Sequence, residues 1–167
     1  MEQKFKGTPP RLPIVFQRFD FPFYFVTFNT LLKRPLLAND SLHAAFRSYA
    51  ERGMAFHVGT GRYVLMPDHV HVFVRIGPAM TLRRWASGLK QHLGKALIAI
   101  GYEPTTVHGM KLKSFWQPGF FDHLLRQDES YLQKWDYVWR NPVRAKLVAN
   151  PEDWPYQGEI HRIDRVM

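Results

Sequence analysis

The chain contains no cysteine. Disulfides, thiolate zinc sites and cysteine nucleophiles are therefore excluded, and the composition fits a reducing cytoplasm. No apolar run approaches the roughly 18 residues that a membrane helix needs, so no membrane partner is expected. The opening Met1-Glu2-Gln3-Lys4 leads into Pro and Arg rather than the apolar stretch of a signal peptide. Acidic residues are also scarce. Fourteen Asp and Glu face 23 Lys and Arg, for a net charge of +9. Such a surplus points to a polyanionic partner, with nucleic acid the foremost class; the plain alternative is a basic but indifferent surface.

Apolar side chains are plentiful, at 46% of the 167 residues. That suits one globular domain with a sizeable core. We divide it into a Pro-rich N-terminal arm (1–20), a core (21–149) and an irregular C-terminal tail (150–167). Aromatic and β-branched residues at 23–30 predict a first strand. Asp40 or Ser41 can cap a helix to about Arg52, which Gly53 ends. A second strand spans 54–66, with a bulge or turn at Gly59-Thr60-Gly61. Thr81 caps a long helix to about Ile100, stopped by Gly101. Residues 119–126 predict a fourth strand, and a last helix runs from Asp128 or Ser130 through Trp139. Asn141-Pro142 interrupts it, because the residue before proline is pushed out of the α region. The order β-α-β-β-α-β followed by a helix predicts an α+β, ferredoxin-like antiparallel sheet.

The run Tyr63 to Gly77 is the centre of this plan. Pro67-Asp68 makes a turn, and the residues after it alternate strictly. Val70, Val72, Val74 and Ile76 point one way; His69, His71, Phe73 and Arg75 point the other. Two imidazoles at i, i+2 on a strand can hold one divalent metal, and they can equally be structural histidines. The helices are expected to cover the aliphatic side and leave the histidines on an open face, across which the final helix can lie. On that helix Gln133, Tyr137 and Asn141 recur every four residues and would share a face if the turn persists. Tyr137 is then a candidate nucleophile, or an amphipathic core tyrosine. Asn141 is a candidate metal ligand, with Gln133 as its substitute, or simply the cap before Pro142 at the start of another helix.

Three blocks occur in order: M-P-D-H-V-H, F-W-Q-P-G-F-F-D-H-L-L-R and Y-V-W-R-N-P-V-R-A-K-L-V. Together they resemble the REP-associated tyrosine transposases, relatives of the single-tyrosine HUH transposases, over about residues 20–156. The resemblance implies that His69 and His71 are the metal-binding pair and Tyr137 the catalytic tyrosine. By analogy Asn141 is a third polar ligand, with His123 and Gln133 in support. It further implies a bacterial, nucleoid-associated cytoplasmic protein. Lys146 stands where the family often has glycine, and the arm and the Gly59–Gly61 segment are atypical.

The implied chemistry is metal-assisted cleavage of single-stranded DNA through a 5′-phosphotyrosine, which keeps the bond energy for rejoining. Hairpin-forming repeats are the implied substrate. The implied metal is Mg²⁺ or Mn²⁺, although two imidazoles are softer donors than Mg²⁺ usually takes. Arg83, Arg84, Lys90, Lys111, Lys113, Arg140 and Arg144 are candidate phosphate contacts, and Trp116 a candidate base-stacking residue. Each has an ordinary reading as solvated charge or core aromatic. A monomer or a homodimer fits equally, with the tyrosine acting in cis or in trans. Two other functions share this fold or chemistry: a non-enzymatic single-stranded DNA- or RNA-binding module, and a replication- or conjugation-type nickase.

Overall fold

A computed structural model describes residues 21–106, 113–125 and 128–163. The expected N-terminal arm and Lys111 lie outside the described residues. The elements are β1 (Phe23–Asn29), α1 (Asp40–Arg52), β2 (Val58–Leu65), β3 (His69–Ile76), α2 (Leu82–Ala99), β4 (Phe121–Leu125), α3 (Asp128–Trp139), α4 (Asn141–Arg144) and β5 (Gln157–Glu159). Short 3-10 turns sit at Leu31–Lys33, Gly53–Phe56 and Pro151–Asp153. The sheet is antiparallel, in the order β4-β1-β3-β2-β5. The expected α+β, ferredoxin-like arrangement is present, with one strand more than the sequence predicted.

Local chemistry accounts for the helix starts. The Asn39 side chain accepts from the Leu42 amide at 3.0 Å and caps α1, a role the sequence assigned to Asp40 or Ser41. Thr81 caps α2 as expected, accepting from the Arg84 amide at 3.2 Å. The alternation of β3 decides the layering. Val70, Val72 and Val74 are fully buried against Phe46, Leu42, Trp85, Leu89 and Leu93 of the helical layer. At about 25 cal/mol per Å² of apolar surface removed from water, this layer supplies the main drive for folding.

The opposite face of β3 is partly covered by the last long helix, α3, as the sequence led one to expect. Phe73 is fully buried with Phe23, Phe25, Tyr131, Trp135, Val138, Trp154 and Ile163 in a second core. Tyr131, Trp135 and Val138 fall at i, i+4 and i+7, so they form one stripe along α3. That stripe lays the helix over the sheet beside the histidines.

The tail is not irregular either. β5 pairs with β2, Ile160 donates to the Gly61 carbonyl at 3.2 Å, and Trp154 Nε1 donates to the Leu65 carbonyl at 3.0 Å. Gly61 sits in the β2 bulge, where an added Cβ would lie 2.6 Å from Ile163. The missing side chain lets the tail close on the sheet. A three-residue strand of Gln157, Gly158 and Glu159 carries no apolar alternation, which is why it was silent in the sequence.

Candidate active site

His69 and His71 stand next to each other on the face of β3 that α3 partly covers. Their ring centroids lie 4.7 Å apart at 79°. Each Nδ1 has a partner. His69 Nδ1–H donates to Asp68 Oδ1 at 2.7 Å. His71 Nδ1 lies 2.7 Å from the Thr27 hydroxyl on the neighbouring strand, where the register places Thr27 opposite His71. With Nδ1 protonated and donating, both rings present an Nε2 lone pair. The two lone pairs meet at one place. Asn141 Nδ2 lies 3.2 Å from His69 Nε2 and 2.9 Å from His71 Nε2, so one amide NH₂ serves both rings.

Burial keeps His71 neutral. The ring is 9% exposed and stacks on Phe25 at 5.5 Å and 19°. Loss of hydration pushes its pKa down to about 3, and electrostatic repulsion from the neighbouring His69 and Arg144 acts the same way. A neutral imidazole is the form that binds metal.

The donor set fits a divalent cation. Two lone pairs converge, and a half-turn of the Asn141 amide exchanges Nδ2 for Oδ1, an oxygen ligand. Among the described residues no group of three His, Cys, Asp or Glu side chains is placed to hold a metal; beside the two histidines, the Asn141 amide is the polar group in contact with both.

Asn141 reaches the histidines because the helix breaks. Pro142 occupies the first turn of α4, where its missing N–H is harmless, and Arg140 at φ −80, ψ −2 forms the joint. The new direction turns Asn141 toward β3. Gln133 and Tyr137 stay on the outer side of α3, and Tyr137 is 62% exposed. Asn141 bonds both histidines just past the break, while Gln133 and Tyr137 before it are exposed. Gln133 lies two turns before Asn141, about 12 Å along an ideal helix. Arg144 bridges the break. Its guanidinium lies 3.8 Å from the centroid of the Tyr137 ring and donates to the Tyr137 carbonyl at 2.5 Å. Tyr131, the other tyrosine of α3, is 2% exposed, with Phe23 and Phe73 ring centroids at 5.1 and 4.9 Å. It belongs to the core.

The candidate phosphate contacts separate by environment. Arg83, Arg84 and Lys113 are exposed. Arg140 is exposed and pairs with Asp136 at 3.1 and 3.2 Å. Lys90 differs from expectation: its ammonium is held by the carbonyls of Gln117 and Gly119, above the Phe28 ring. Trp116 is a core residue and not a stacking surface. It is 9% exposed, meets Phe28 edge-on, and donates Nε1 to the Lys90 carbonyl at 2.9 Å. His123 is exposed on β4, opposite Phe25 and so on the histidine face of the sheet.

Sequence reasoning missed three neighbours of the histidines. Thr27 and Asp68 hold their Nδ1 atoms, and Lys134 sits 5.3 Å from the Phe25 ring centroid. Asp68 could have been found, since a carboxylate beside a metal-site histidine is a common orienting pair. Thr27 depends on strand register and leaves no local signal. Lys146 has φ 58, a left-handed conformation that glycine adopts at less cost.

Comparison with known proteins identifies relatives of the chain. A REP-associated tyrosine transposase of Escherichia coli strain K12 is 29% identical over 102 residues, covering 60% of this chain and 53% of that protein. A putative REP-associated tyrosine transposase of Haemophilus influenzae is 25% identical over 103 residues, covering 59% and 56%. The chain thus spans about half the length of the curated relatives it matches. A solved structure of a REP-associated tyrosine transposase bound to a REP hairpin superposes with a TM-score of 0.58 and 20% identity, over 93% of this chain and 82% of that one. It shares the fold. The model of the family described as "Transposase IS200 like" matches residues 26–140, the stretch that carries the strand histidines and the tyrosine helix, and the chain belongs to that family.

Proposed function

We propose that this chain cuts and rejoins single-stranded DNA at hairpin-forming repeats, with Tyr137 as the nucleophile. The observation that carries this reading is the meeting of His69 Nε2, His71 Nε2 and the Asn141 amide at the end of the helix that exposes Tyr137. His69, His71 and Asn141 would hold Mg²⁺ or Mn²⁺, which when bound polarises a phosphate oxygen and stabilises charge in the transition state. The Tyr137 Oη attacks phosphorus and loses its proton. The Oη–P bond forms as the P–O3′ bond breaks, and the departing oxygen takes up a proton as a free 3′-OH. The product is a 5′-phosphotyrosine. Attack by a 3′-OH on that bond reverses the step and joins strands.

The placement of the groups suits this chemistry. An exposed tyrosine can be reached by an unpaired DNA backbone. Arg83, Arg84, Lys113, Arg140 and Arg144 are the cations available for backbone contact, and the net charge of +9 favours encounter with DNA. Among the described residues no helix is long and apolar enough to cross a membrane. The hairpin substrate follows the solved relative, which was bound to a REP hairpin.

The test is incubation with Mg²⁺ and end-labelled single-stranded hairpin repeats taken from the flanking genome. Wild-type protein should give a labelled adduct that survives denaturing gels. Tyr137→Phe should give none while still binding the DNA. An equal adduct from the mutant would sink the reading. Tight binding without any adduct, insensitive to metal, would favour a non-enzymatic binding module.

A further inference from the structure

We infer that Arg144 is a positioning residue that locks the Tyr137 side chain and ties α4 back onto α3. The inference deepens the reading of Tyr137 as nucleophile and rests on it.

Tyr137 has little else to hold it. It is 62% exposed, two residues from the end of α3, and the inward stripe of that helix is Tyr131, Trp135 and Val138. A side chain in that position ordinarily samples several rotamers, and a nucleophile must be held in one of them to react. The helix that should stiffen it also breaks next to it. Pro142 has no N–H to return to the carbonyl of Val138, so one rung of the helical ladder is missing at the joint.

Arg144 answers both problems with one group. It lies on the far side of the break, and its guanidinium reaches back seven residues to the Tyr137 carbonyl at 2.5 Å. That bond spans the joint. The same planar group lies over the Tyr137 ring at 3.8 Å from the centroid, inside the range of a cation–π contact. Stacking on one face and bonding the same residue's backbone fixes both ends of the tyrosine. A lysine cannot do both, because an ammonium has no plane to stack. The location is also apt. Arg144 is near enough to His71 for its charge to be felt there.

This differs from a plain phosphate contact in what its loss should do. A phosphate contact contributes to affinity and to the salt dependence of binding, with a slope change of roughly 0.7 for one contact on single-stranded DNA. A positioning residue contributes to the rate of adduct formation once DNA is bound. Misplacement of a reacting group by about 1 Å can cost on the order of a hundredfold in rate.

The test uses Arg144→Gln and Arg144→Lys in the full chain. Single-turnover adduct formation with the hairpin DNA is measured beside the Kd of the same DNA. In parallel, 3-fluorotyrosine is incorporated and the ¹⁹F resonance of Tyr137, assigned with Tyr137→Phe, is recorded without DNA. Arg144→Gln should slow adduct formation by about tenfold to a hundredfold with Kd little changed. It should also shift and narrow the Tyr137 resonance while those of buried Tyr63 and Tyr131 stay in place. Arg144→Lys should recover little of the rate. Wild-type rates in Arg144→Gln would overturn the inference. So would a rate loss matched by an equal loss of affinity with the Tyr137 resonance unmoved. If wild-type protein itself forms no adduct, the nucleophile reading fails separately, and the fluorine spectrum alone decides whether Arg144 holds the ring.

Discussion

Thr27 and Asp68 show how much of a two-histidine site lies outside the histidines. An imidazole offers its Nε2 lone pair only when Nδ1 carries the proton, and a partner on Nδ1 enforces that tautomer. Asp68 does this for His69, and the Thr27 hydroxyl lies 2.7 Å from His71 Nδ1, where it can accept the same proton. Replacing Thr27 with valine keeps the shape and removes the hydroxyl. Thr27→Val should therefore weaken Mn²⁺ binding by about tenfold to a hundredfold, the usual cost of losing an orienting partner, with the fold intact. Mn²⁺ titration followed by electron paramagnetic resonance measures it; an unchanged affinity would show that burial alone sets the tautomer. The histidines were legible because a strict alternation in β3 put them on one face. Thr27 was not, because its role arises from cross-strand register, which no local pattern records. Trp116 shows the converse. An aromatic in a basic chain reads as a stacking surface until packing places it against Phe28.

At the scale of elements, the decisive feature is the joint between α3 and α4. Asn141, just past the break, reaches both Nε2 atoms, while Tyr137, just before it, is exposed to solvent. Pro142 is the residue that forbids continuation. Pro142→Ala restores an N–H and lets the helix run on. It should cut Mn²⁺ affinity and adduct yield together, while thermal unfolding shifts by no more than about 1 kcal/mol, the ordinary scale for a proline exchanged at a tolerant site. Retained metal affinity would mean that packing, not proline, sets the joint. The sequence announced this break through Asn-Pro, yet not its direction. Direction follows from the stripe Tyr131, Trp135 and Val138, which docks α3 and fixes where its end must point. The fifth strand was unreadable for a simpler reason. Three residues held by backbone pairing to β2 carry no periodicity to find.

For the whole molecule, one sheet does two separate jobs. Its helical face carries the larger core, built on the valines of β3, and its other face carries a smaller aromatic core that stops short of His69. The site therefore lies at the margin of a packed layer, rigid beneath and accessible above, as a site preorganised for a large anionic substrate requires. The proposal joins the exposed Tyr137, the half-buried His69 and the buried His71 in one catalytic unit. Peptide mass spectrometry of the protein–DNA adduct, after nuclease and protease digestion, tests this most directly. The account predicts a single nucleotide-bearing peptide with its phosphodiester on Tyr137, formed only with Mg²⁺ or Mn²⁺ and lost in His71→Ala. An adduct on Tyr131 or any other residue, or one that persists in His71→Ala, would contradict it.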